Sequence, residues 1–229
     1  EEKLSPNLRV THYPVAEHEG FISVWTGGGD PRSSPPHQET GIEQPDCEAY
    51  GSGVTALGMD HYRAILFDAP QILFDIPGIR MTDFYLGGLN YDKGGLGIDR
   101  EAEWGDASKP ANIKAVDRNL VLRTEHAVGI NKVSFKLIDE SETVLATLSL
   151  AYCESRRGTT RYCWRFYRHR KFARLQPVRC RLRTLKRVPV MVNKALDGHA
   201  VASTLVGPSE DVAVFLAQKI SSLEEGPAL

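Results

Sequence analysis

The stretch NLVLRTEHAVGINKVSFKLIDESETVLATLSLAYC, residues 119–153, decides the fold class. Within it NLVLRTEHAV, NKVSFKLID and TVLATLSLAYC each alternate apolar and polar residues, separated only by GI and ESE. Successive side chains of a strand point to opposite faces, so each segment reads as a strand with one buried side. Connections this short join antiparallel neighbours, and the region is an antiparallel meander.

Downstream, the alternation continues into RYCWRFYRHRKFARLQPVRCRLRTLKR, residues 161–187. Tyr162, Trp164 and Phe166 fall on one side of a strand, with Arg161, Cys163 and Arg165 on the other. Arg179, Arg181 and Arg183 likewise share a side, opposite Cys180 and Leu182. HAVASTLVG (199–207) predicts a further strand. PSEDVAVFLAQKISSLEEG predicts a helix over 209–224, capped by Ser209, with Glu210 and Asp211 at its positive end. Val212, Phe215, Leu216, Ile220 and Leu223 form its buried stripe.

Upstream, FYLGGLNYDKGGLGIDREAEWG (84–105) carries too many glycines for a helix and reads as strand–turn–strand. In MDHYRAILFDAPQILFDIPG (59–78), Asp60 starts a short helix with Tyr62, Ile65 and Leu66 on one side. Pro70 interrupts it before a strand, QILFDI. Residues 1–58 are loop-rich, with a strand at GFISVW (20–25) and a Gly/Pro/Ser-dense loop over 27–46. The expectation is a single α+β domain over 1–229. Its main sheet, over 84–206, is mainly antiparallel and curved or closed, with few helices and the C-terminal amphipathic helix.

The chain has 229 residues and 41% hydrophobic content, enough for a real core. It starts at Glu1 rather than Met, which reads as a processed product, and no apolar run approaches a membrane helix. Four cysteines, Cys47, Cys153, Cys163 and Cys180, permit two disulfides but suit an intracellular or organellar protein equally. Of the 28 Lys/Arg, 13 fall between Arg156 and Arg187 with no Asp or Glu among them, which leaves 15 basic against 29 acidic residues elsewhere. A face holding Arg165, Arg179, Arg181 and Arg183 suits a polyanion, either nucleic acid or an acidic protein. The simpler reading is pairing with the chain's own acids, such as Glu39/Glu43/Asp46/Glu48 and Asp99/Glu101/Glu103/Asp106. No nucleic-acid-binding signature is present.

GGLGIDR lacks the third glycine of a dinucleotide fingerprint, and no phosphate-binding loop exists, so no cofactor is expected. Cys47 with His199 lacks the surroundings of a nucleophile pair, and His12, His18, His37 and His61 lack metal-ligand spacing, so no metal is expected.

DREAEWGDASKPANI (99–113) holds an Arg–Glu pair, a Trp-Gly turn and a following lysine. This segment resembles the acetoacetate decarboxylase-like family, whose Gly-Arg-Glu-x-Trp-Gly-x-Pro-Lys-Lys run enters an antiparallel β structure around an apolar cavity. Arg100, Glu101, Trp104, Gly105 and Lys109 match it. The resemblance implies a catalytic role for Lys109, Glu101 and Arg100, with Trp104 and Ser108 touching the ligand. One residue is inserted before Trp104, and the lysine pair reads Ser108–Lys109. Lys109 beside Asp106 lacks the second cation that lowers a Schiff-base lysine's pKa. The expected function is therefore small-molecule binding, or lyase-like chemistry, in an apolar cavity of the sheet. A nucleic-acid-binding or assembly protein using 161–187 is one alternative. Another is a hot-dog thioesterase-like protein, with the strands after Asn119 wrapped around a helix at 60–67.

Overall fold

The computed structural model describes residues 12–25, 40–42, 47–68, 79–86, 90–92, 95–104, 119–127 and 131–170. The strands expected over 71–76, 178–185 and 199–207, and the helix over 209–224, lie outside them. In chain order the elements are β1 (Val15–His18), β2 (Phe21–Val24), β3 (Cys47–Thr55), α1 (Met59–Asp68), β4 (Ile79–Tyr85), β5 (Asn90–Asp92), β6 (Gly95–Trp104), β7 (Asn119–Ala127), β8 (Lys132–Ile138), β9 (Val144–Arg156) and β10 (Thr159–Arg168).

The expected meander is present. β6 to β10 pair in sequence order, all antiparallel, within a sheet ordered β3-β10-β9-β8-β7-β6-β4. Its turns have local causes. Between β8 and β9, the Asp139 carboxylate accepts from the backbone N–H of Ser141 at 2.9 Å and of Thr143 at 3.0 Å, an Asx turn. The glycine-rich segment forms an interrupted edge, in which β4 pairs with one half of β6 and β5 with the other. The sheet is open rather than closed: among the described residues β3 and β4 end its strand order without pairing each other.

β3 was not legible as a strand, because CEAYGSGVT carries Gly51 and Gly53 and little β propensity. Pairing with β10 makes it one, and the glycines have a packing reason. Gly51 lies opposite Trp164, and Gly53 opposite Tyr162. A Cβ on Gly51 would stand 2.7 Å from the Trp164 ring, and one on Gly53 would collide with the Tyr162 hydroxyl. The two large side chains lean over β3 where it has none.

The two sides of the sheet are covered differently. On one side α1 lies across β9 and β10. The alternation predicted this inward set: Tyr162, Trp164 and Phe166 of β10 are buried with Leu148, Leu150 and Tyr152 of β9, Val133, Phe135 and Leu137 of β8, and Leu120 and Leu122 of β7. Tyr62, Ile65 and Leu66 of α1 join the same core, as the helix periodicity required. Each such side chain stabilises the fold by about 1.5–3 kcal/mol through burial alone. α1 begins after Gly58, whose carbonyl accepts from Tyr62 N–H at 2.9 Å, and Asp60 lies in its first turn rather than ahead of it.

On the other side sits the N-terminal hairpin β1–β2. Its turn residues Glu19 and Gly20 have φ of 48° and 71°, the positive values of a type I′ turn. Tyr167 Oη donates to the Glu19 carbonyl at 2.7 Å, Thr40 N–H donates to the Glu19 carboxylate at 2.8 Å, and Thr147 Oγ1 donates to the Thr40 carbonyl at 2.7 Å. The loop-rich N-terminal region is thereby fastened across β9 and β10.

Candidate functional site

On the helix-covered side, β7 breaks its own apolar series. On β7 the inward positions run Leu120, Leu122, Thr124, His126, so the last two interrupt the apolar series, and both are fully buried. His126 Nε2 lies 3.2 Å from Tyr152 Oη of β9, and Arg63 Nε of α1 donates to the same hydroxyl at 3.2 Å. Three elements thus converge on one phenol. The Tyr62 ring lies 5.2 Å from that of Tyr152 and stacks at 5.9 Å on that of Tyr162. Burial, aided by the Arg63 charge, pushes the His126 pKa down to about 4, so this imidazole is neutral at pH 7. Burial also raises the Tyr62 pKa, so its phenol stays protonated.

Around this cluster several polar atoms are buried without a hydrogen-bond partner among the described residues: Tyr62 Oη, Thr124 Oγ1 and Trp164 Nε1. Native interiors pair the great majority of such atoms, so each needs an explanation. All three belong to the helix-covered side.

Arg100 and Glu101 are consecutive on β6 and point to opposite sides. Arg100, opposite Leu122, is buried on the helix-covered side, and Glu101 is half-buried on the other. Trp104 ends β6, paired with Ile79. Ser108, Lys109, Arg179, Arg181 and Arg183 lie outside the described residues.

Arg165 sits on the hairpin side, its guanidinium 5.8 Å from the Phe21 ring centre and 5.9 Å from that of Tyr50. Lys132 takes the other cation position on Phe21, at 5.0 Å, and pairs with Glu19 at 3.6 Å. Arg168, on the same parity of β10 as Phe166, pairs at 2.7 Å with Glu48, the residue that the register shift leaves unpaired on β3. Glu48 belongs to one acidic cluster singled out in the sequence, and Asp99 of the other binds Arg123 through two hydrogen bonds, at 2.8 and 2.9 Å. Cys47, Cys153 and Cys163 are free thiols. Among the described residues no three His, Cys, Asp or Glu side chains group to hold a metal ion, and no helix is long and apolar enough to cross a membrane.

Sequence reasoning passed over Arg63, Thr124, His126 and Tyr152. The signal was present in TEHAV, where two polar residues occupy the inward parity of an otherwise apolar strand.

No protein-family model matches the sequence, and no curated protein matches it. Solved structures do. Dicamba monooxygenase bound to dicamba superposes with a TM-score of 0.56 at 11% identity, over 93% of this chain and 69% of that one. The same enzyme bound to 3,6-dichlorosalicylic acid gives 0.51 at 12%, over 93% and 70%. Pseudomonas putida CBB5 NdmB gives 0.54 at 12%, over 97% of this chain and 63% of that one. At such identities the likeness is one of fold: this chain is similar in fold to a portion of these larger proteins.

Proposed function

We propose that the chain is a small-molecule-binding protein whose ligand lies on the helix-covered side of the sheet, against Tyr62, Thr124, His126 and Tyr152. The observation that carries this reading is the set of fully buried hydroxyls, Tyr62 Oη and Thr124 Oγ1, that lack a partner among the described residues beside a buried Arg–Tyr–His cluster. A purely structural core gains nothing from such groups, and each costs about 1–3 kcal/mol when left unsatisfied. A mostly apolar wall with a few convergent polar groups is the usual make-up of a ligand site. The similar solved structure of dicamba monooxygenase holds dicamba, which supports the same use of the fold here.

Thermal unfolding against a panel of small aromatic and alicyclic molecules, charged and neutral, tests it. A ligand present at a hundred times its Kd stabilises by about 2.7 kcal/mol. The expected result is a rise in Tm that Tyr152→Phe or Thr124→Val diminishes. No rise with any chemical class refutes the reading.

The acetoacetate decarboxylase-like resemblance adds a narrower version, supported by the burial of Arg100 on the same side. In it a carbonyl ligand reacts with Lys109. Borohydride trapping checks it, and absence of an adduct at Lys109 leaves binding alone.

A further inference from the structure

Trp164 Nε1 differs from the buried hydroxyls of Tyr62 and Thr124 because an indole N–H only donates. A hydroxyl can turn to accept or donate, whereas this group is satisfied solely by an acceptor. Trp164 is 1% exposed, and its nitrogen has no partner among the described residues. Its position is set by the missing side chain of Gly51, since a Cβ there would stand 2.8 Å from Nε1 itself. One step along the same side of β10, Tyr162 stacks with Tyr62, which in turn meets Tyr152. An aromatic wall therefore adjoins a fixed, buried donor.

We propose that Trp164 is a specificity-determining residue that reads a carbonyl or carboxylate oxygen on a ligand with an aromatic body. The inference rests on the binding role of the helix-covered side and adds the ligand's chemical class. The neutral hydroxyl of Tyr62, whose ring stacks on Tyr162 of the same strand, supplies a further hydrogen bond to such a molecule. The strip over β3 that Gly51 leaves open accommodates the indole in this orientation, so Gly51 is a positioning residue for it.

Calorimetric titration of the full chain with naphthoate, naphthamide and methylnaphthalene tests the proposal. The first two carry an acceptor, with and without charge, and the third carries none. The expected result is about tenfold tighter binding of both acceptor-bearing probes to the wild-type chain, about what one recovered hydrogen bond supplies. In Trp164→Phe that advantage disappears while methylnaphthalene still binds. Equal binding of all three probes by the wild type, or an advantage that survives Trp164→Phe, overturns the proposal and leaves the site intact. Binding of none overturns both. Should Trp164→Phe fail to fold, the wild-type indole N–H resonance gives the answer. It moves downfield with naphthoate and naphthamide if Trp164 reads the acceptor, and stays in place if it does not.

Discussion

Replacing His126 by Gln removes a titratable group while keeping a nitrogen near the position of Nε2, which lies 3.2 Å from Tyr152 Oη. In the folded chain the imidazole pKa is lowered to about 4, from an ordinary value of 6.5. The unfolded chain therefore binds the proton between those values and the folded chain does not. Stability that depends on neutral His126 is complete above pH 6.5, falls as pH drops through the window, and levels off below pH 4. One pKa unit corresponds to about 1.36 kcal/mol, so the full loss is about 3 kcal/mol. At pH 5.5 it amounts to about 1.4 kcal/mol and at pH 4.5 to about 2.5 kcal/mol. Urea unfolding of the wild type and His126→Gln at pH 7.5, 6.5, 5.5 and 4.5 measures it, because carboxylate titrations common to both cancel in the difference. The variant is expected to gain on the wild type by these amounts as pH falls. Parallel curves, or a His126 ring that titrates near 6.5 by NMR, would refute the burial of a neutral imidazole.

Four further substitutions separate buried from exposed interactions. Glu48→Gln leaves the fully buried Arg168 side chain without its carboxylate and is expected to cost about 3 kcal/mol, whereas Asp99→Asn, whose partner Arg123 is part-exposed, costs within about 1 kcal/mol by chemical denaturation. Gly20→Ala forces a side chain into a φ of +71° against the Arg165 guanidinium and should lower stability by about 1–2 kcal/mol. Arg165→Ala loses its packing on Phe21 and Tyr50, about 1 kcal/mol, and is expected to leave retention on heparin unchanged, since that guanidinium is occupied within the fold.

What the sequence made legible was periodic. The meander over β7 to β10, the inward set Tyr162, Trp164 and Phe166, and the face of α1 followed from alternation and helical spacing, because one buried side imposes them. β3 was not legible, since Gly51 and Gly53 answer to the volumes of Trp164 and Tyr162 more than a hundred positions later. The basic stretch gave its strand pattern but not its partners. Arg168 meets Glu48 and Arg165 meets two aromatic rings because of strand pairing and the fastening of the N-terminal hairpin, which no local pattern encodes. The candidate site was hidden for a similar reason. Arg63, His126 and Tyr152 belong to three separate elements, and their convergence is tertiary. Its trace in the sequence was the pair of polar residues, Thr124 and His126, on an apolar parity.

Whether a ligand occupies the helix-covered side is read from an NMR map of isotope-labelled protein titrated with naphthoate. Shifts are expected at Tyr62, Thr124, His126 and Tyr152. Shifts confined to the exposed apolar residues of the hairpin, Val15, Ile22 and Val24, or no shifts at all, would contradict it.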